Sequence, residues 1–228
     1  MYAREVEGRT LTFGVSGKLV RNSLVMFDRQ TGSLWSHLTG ESISGPLHGK
    51  HLQQLSSAQT TWGLWLKEHP STLLLQADRS DVQDPYQSYY SGSDTGIISV
   101  KRSDDRLPAK ERILGIRLGG DVKAYDFKAL ARDRVVNDQV GGTPFVIVFD
   151  GGSESGAVYR SDPGGTLLKF WPGNGVLRMA EAGGSVSDGL TGTALSGPLA
   201  GQVLEQVPIT YSFWFGWADF YPNTAVYK

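Results

Sequence analysis

The 228-residue chain contains no cysteine. Disulfides, thiolate nucleophiles, Cys-ligated zinc and iron–sulfur clusters are therefore excluded. Excess charge of either sign is also missing: 22 Lys and Arg face 23 Asp and Glu, leaving a net charge of −1. Such a balance gives no electrostatic footprint for nucleic acid or for an anionic membrane surface. No apolar run approaches the ~18–20 residues of a membrane helix, and no basic start followed by an apolar stretch marks a signal peptide. The glycines form neither a G-x-G-x-x-G nor a P-loop, and no serine sits in a G-x-S-x-G elbow. Histidine is scarce, with only His37, His48, His51 and His69.

Glycine is abundant instead, 29 residues dispersed between short apolar runs. That is the pattern of tight turns between strands. Leu38–Thr72 aligns without a gap to Leu190–Thr224, with 14 identities in 35 positions and an offset of 152 residues. The shared positions include LTG, SGPL, two tryptophans three residues apart, and a closing proline and threonine. An internal duplication is the expectation, giving two related lobes about a pseudo-two-fold axis. Boundaries are placed at 1–76 for a first, truncated lobe, 77–108 for a crossover segment and 109–228 for the second lobe. Only 37 residues precede the first copy, so the chain reads as starting partway through its first unit.

Alternation predicts strands over Arg9–Val15 and Val20–Phe27. The spacing of Ala58, Trp62, Trp65 and Leu66 predicts a helix over Ser57–His69, capped by Ser57 and ended by Pro70. Its counterpart over Ile209–Tyr221 is apolar nearly all round and is expected to be the more deeply buried. Arg112–Leu118 and Asp121–Tyr125 form a hairpin over Gly119-Gly120, and a short helix spans Phe127–Arg132. Pro144–Asp150 is a continuous apolar run and the candidate central strand. Ala157–Arg160 and Thr166–Phe170 are expected to pair as a hairpin. The segment from Ala77 to Pro108 is read as an ordered crossover carrying its tyrosines onto a lobe. The fold class is α+β, mostly β, each lobe a sheet covered by a Trp-rich helix.

Three long stretches resemble the DUF3179 family, bacterial and archaeal proteins named for lacking an assigned function. They are LTFGVSGKLVRNSLVMFDRQTGSLWSHLTGESISGPLHGK, LPAKERILGIRLGGDVKAYDFKALARDRVVNDQVGGTPFVIVFD and SFWFGWADFYPNTAVY. The resemblance covers essentially the whole chain and implies that many relatives are exported. Members commonly carry a further unit with His and Cys patterns upstream of the FGVSG motif. Here Asp133 stands near where the family's histidine falls, Phe145–Asp150 carries no cysteine, and Ala124-Tyr125-Asp126 replaces Ala-Tyr-Pro. The resemblance therefore carries no Cys/His metal or redox chemistry to this chain.

Positions where the two copies differ point to a site. Asp28-Arg29 and Trp35-Ser36-His37 become Ala180-Glu181 and Ser187-Asp188-Gly189. Asn137-Asp138 precedes Gly141-Gly142 and the central strand. The leading expectation is a small molecule held between the lobes by Trp35, His37, Asn137 and Asp138, with Asp28 and Arg29 nearby. Asx-type turn capping is the plainer account of the carboxylates. An enzyme is the alternative, with His37, Asp28 and Arg29 as catalytic candidates and His37 or the His48-x-x-His51 pair as base or ligand. A divalent metal is the one cofactor these histidines suit, but neither a Cys nor an HExxH pattern accompanies them, so water-facing loop positions are the simpler reading. Asp78, Asp81 and Asp84 lack the alternate spacing of a calcium loop. A surface-presenting interaction module is the third reading. The tryptophan pairs are read as packing rather than as a ligand platform.

Overall fold

The computed structural model describes residues 1–75, 84, 86–96 and 103–228. In the first half, β1 (Glu5–Val6) and β2 (Arg9–Thr10) precede β3 (Phe13–Val20), β4 (Ser23–Asp28), β5 (Leu34–Ser36) and β6 (Ser42–Ser44). Two short helices follow, α1 (Trp62–Glu68) and α2 (Gln87–Ser91). The second half opens with β7 (Arg112–Leu118), β8 (Asp121–Asp126), α3 (Phe127–Asp133), β9 (Val135–Val140), β10 (Thr143–Asp150) and β11 (Ser155–Arg160). It continues with β12 (Phe170–Pro172), β13 (Arg178–Glu181), β14 (Val186–Asp188), β15 (Ala194–Ser196), β16 (Ile209–Phe213), α4 (Trp214–Phe220) and β17 (Ala225–Tyr227). The fold is β-rich, as the glycine-punctuated sequence predicts.

Turn chemistry sets the hairpins. Arg21 and Asn22 join β3 to β4 with φ of 48° and 60°, Gly119-Gly120 joins β7 to β8, and Gly141-Gly142 joins β9 to β10, all with φ positive at both central residues. That is the turn whose twist matches the strands it joins. The strands assort into four-stranded sheets in the orders β3-β4-β5-β6, β12-β13-β14-β15 and β16-β7-β8-β17, and a three-stranded sheet β11-β10-β9. The pairing is antiparallel except for β17, which lies parallel to β8.

β10 is central, as its apolar run predicts. Period-two alternation sends Phe145, Ile147 and Phe149 into one core with Leu114, Ile116 and Tyr125, while Val146 and Val148 enter a second core with Tyr159 and Met179. A strand buried on both faces has no polar face to show, which is why PFVIVF reads as an unbroken run.

Three expectations shift. Ile209–Phe213 is strand β16, and only Trp214–Phe220 is helical. Aromatic and β-branched residues suit a strand, and its register against β7 outweighs the helical spacing. α4 lacks a side-chain N-cap; backbone carbonyls of Glu111 and Ala109 accept from its first N–H groups. α1 starts five residues later than expected, capped by the Thr61 hydroxyl, which accepts from the Leu64 N–H. Thr166–Leu168 is outside any strand, and β12 pairs with β13 rather than β11.

Several features recur at the 152-residue offset. Leu47 N–H donates to Ser33 Oγ at 3.1 Å, and Leu199 N–H donates to Ser185 Oγ at 3.1 Å. Gly45 and Gly197 have positive φ and crowd Ser33 and Ser185. Trp65 and Trp217 donate to Thr72 and Thr224, each at 3.0 Å. The halves differ in what the helix covers. Trp214, Trp217 and Ala218 of α4 are buried on the β7–β8 sheet with Ile113 and Ala124. α1 buries none of its residues, and only Leu64 leans on a core, the one around Val146 and Met179. Among the described residues no strand of the first half lies beneath it.

Candidate functional site

A cleft of about 720 Å³ opens between the first-half meander and the β16 edge of the second-half sheet. The β3–β4 turn supplies Arg21 and Asn22 on one side, and the residue after β5 supplies His37. The opposite wall is β16 and the start of α4, from Ile209 to Gly216, with Ile113 and Phe127 behind it. Tyr89 and Tyr90 of α2 close a third side, with Tyr89 edge-on to Phe213 at 6.3 Å between centroids. Gln54 ties the walls together: its amide Nε2 donates to the Ile209 carbonyl at 2.9 Å and to Thr210 Oγ1 at 3.1 Å, while Oε1 accepts from Arg117 at 2.8 Å.

His37 is held by its backbone N–H, which donates to the Leu24 carbonyl at 3.0 Å. Its imidazole pKa lies below the ordinary value, first because the cleft desolvates it and then because of positive charge at the Met1 amino group. The imidazole is thus neutral at pH 7, offering one donor and one acceptor. At the matching position Gly189 has no room for a side chain, since an added Cβ would stand 2.7 Å from Val148. Tyr2 donates its hydroxyl to the Leu38 carbonyl at 2.7 Å, and burial pushes its pKa up to about 12.

Two arginines line the cleft. Arg21 donates to the Asp219 carbonyl at 2.7 Å and lies over the Phe220 ring at 5.2 Å. Arg112 pairs with Glu154 at a half-exposed position. No Asp or Glu lines the cleft among the described residues.

Of the residues expected at a site, His37 alone lines this cleft. Trp35 is fully buried, and its indole N–H donates to Asp28 Oδ2 at 2.9 Å. Asp28 also accepts from the Thr31 backbone N–H at 2.6 Å and hydroxyl at 2.9 Å. Burial raises the Asp28 pKa, but bonds from Trp35, Thr31 and Ser33 outweigh it and hold the carboxyl below its ordinary value. The pair is a turn brace inside the meander. Glu181, one residue out of the 152-residue register, braces the matching turn through Gly183 and Ser185. Arg29 is exposed, donates to the Phe13 carbonyl at 2.5 Å and lies over the Phe27 ring.

Asn137 and Asp138 sit on β9, apart from the cleft lining. Asn137 exchanges two bonds with the Phe170 backbone, at 2.7 and 2.8 Å, joining β9 to β12. Asp138 accepts from Lys123 at 2.6 Å and from the Tyr125 hydroxyl at 2.9 Å. His48 and His51 are exposed, and among the described residues no three His, Asp or Glu side chains are gathered as a metal site. Asp78 and Asp81 lie outside the described residues, and Asp84 accepts from the Tyr86 N–H. Most of the 77–108 crossover likewise lies outside them; its described part places Tyr89 against Phe213.

Arg21, Arg112, Gln54, Tyr89 and Phe213 were not legible as site residues. Arg21-Asn22 reads as a turn signal, and nothing in the local pattern says that the turn meets α4, 198 residues away.

The fold and cleft define a β-rich protein with an open cleft between its halves. The chain belongs to the DUF3179 family, described as proteins of unknown function, whose pattern it matches over residues 1–224. Neither the curated proteins nor the solved structures contain a match.

Proposed function

We propose that this protein binds a small organic molecule in the cleft between its halves, with His37 as a polar contact. The observation that supports the reading is the cleft itself: about 720 Å³, with Phe213 and Tyr89 among polar residues that include His37, Gln54 and Arg21. Clefts of ~300–1,000 Å³ with apolar walls and a few placed polar groups are the usual form of a small-molecule site. The net charge of −1 favours a small molecule over nucleic acid. The recurrence of turns, helices and hydrogen bonds at one offset supports an origin by duplication, with the cleft forming where the halves meet and His37 replacing a glycine.

Gly216 offers the test. It lines the cleft, and a Cβ there would meet only Ser212 Oγ, at 3.4 Å. Gly216→Leu should fold as the parent does and fill part of the space. A fragment screen by ligand-observed NMR should find binders to the parent that the variant loses. Fragments that bind both proteins equally would place the site elsewhere.

A further inference from the structure

We infer that the cleft selects an organic anion: a carboxylate or similar group held between Arg21 and Arg112, carried on an aromatic or otherwise apolar body. This rests on the reading of the cleft as a ligand site.

The first argument is the sign of the lining. Two arginines line it from opposite halves, Arg21 on the β3–β4 turn and Arg112 at the start of β7; Arg112 is paired with Glu154, which is outside the lining, and no Asp or Glu lines the cleft among the described residues. In a chain with almost equal acidic and basic counts, a concave surface this one-sided attracts anions. His37 is neutral there and adds hydrogen bonding without repelling an anion.

Arg21 also has donors to spare, and Arg112 has a partner that a ligand could replace. A guanidinium carries five N–H donors in a planar fork. Arg21 spends one on the Asp219 carbonyl, a contact that anchors the side chain beside α4 and leaves its other donors. Arg112 is held in a fork by Glu154, both of its terminal nitrogens donating to the carboxylate, with side chains 53% and 33% exposed. A ligand carboxylate competes with Glu154 for that same bidentate geometry.

The rest of the wall sets the body of the ligand. Phe213, with Tyr89 edge-on to it, offers ring faces and apolar surface.

The experiment uses three probes of one shape and different charge: benzoate, benzamide and benzylamine. Each is titrated into the ¹⁵N-labelled full chain, reading the amides of His37, Phe213 and Gly216, at low salt and in 0.5 M sodium chloride, where the screening length falls to about 4 Å. Expected is a benzoate affinity at least tenfold above that of the other two, weakened by salt. The Arg21→Gln/Arg112→Gln double variant should lose that advantage, while Arg160→Gln, in an ion pair outside the cleft, keeps it. Equal shifts by all three probes, tighter benzylamine, or benzoate binding that survives the double variant overturns the anion inference and leaves the cleft reading intact. No shift of cleft amides by any probe overturns the anion inference, and the Gly216→Leu fragment screen then decides the cleft reading separately.

Discussion

Trp65 and Trp217 make the same hydrogen bond, each indole N–H donating at 3.0 Å to the threonine seven residues further on, yet Trp217 is fully buried and Trp65 is 38% exposed. The ring after each tryptophan is also alike: His69 lies 4.1 Å from Trp65 and Tyr221 lies 4.5 Å from Trp217, both tilted. Local structure is thus shared, and the difference is what lies beneath. Truncation of Trp217 to alanine should cost about 3–5 kcal/mol, as for other buried large aromatics. Trp65→Ala should cost about 1 kcal/mol, near the centre of ordinary point mutations. Urea unfolding of the two variants checks the contrast, and equal losses would refute the assigned packing.

Gly115 on β7 lies against the Trp217 ring, where an added Cβ would stand 2.3 Å from it. Gly115→Ala should therefore destabilise by about 1–3 kcal/mol through overpacking. In the double variant Gly115→Ala/Trp217→Phe the smaller ring gives way, so the two losses should sum to more than the measured total. Strict additivity in a double-mutant cycle would show that the contact is not made.

Asp28 makes stability depend on acid. Its folded pKa lies below the ordinary carboxylate value, so its contribution is present above the unfolded pKa of about 3.9 and is lost as pH falls through the folded value. Asp28→Asn should be less stable at pH 7 and should lose less of its stability between about pH 5 and pH 2 than the parent does. Denaturation midpoints across that range test this; parallel pH curves would remove Asp28 from the account.

His37 works in a neighbouring window. Its folded pKa is depressed, so folding favours the neutral imidazole and the contribution declines as pH falls below the unfolded value of about 6.5. The imidazole C–H resonances of His37 should titrate below that value, with His37→Ala used to assign them. A midpoint above 6.5 would contradict a desolvated imidazole in the cleft.

The sequence makes legible the β-rich class, the glycine turns, the central strand and the recurrence of motifs at a fixed offset. Each is a local or periodic property: two positive-φ residues make a hairpin turn, and an unbroken apolar run marks a strand with no solvent face. It also singled out His37, because an imidazole where the other copy has glycine is visible by alignment alone. The rest was tertiary. Asp28 and Trp35 read as site residues because they break the repeat, but seven residues of separation fold them into one buried hydrogen bond. Ile209–Phe213 reads as helix, and pairing with β7 makes it strand. Arg21 meets the helix that ends the cleft across 198 residues, and Arg112 reaches the same cavity from another sheet. Which side chains share a cavity depends on how distant elements pack, and that arrangement is decided by burial of the whole chain rather than by any segment's own pattern.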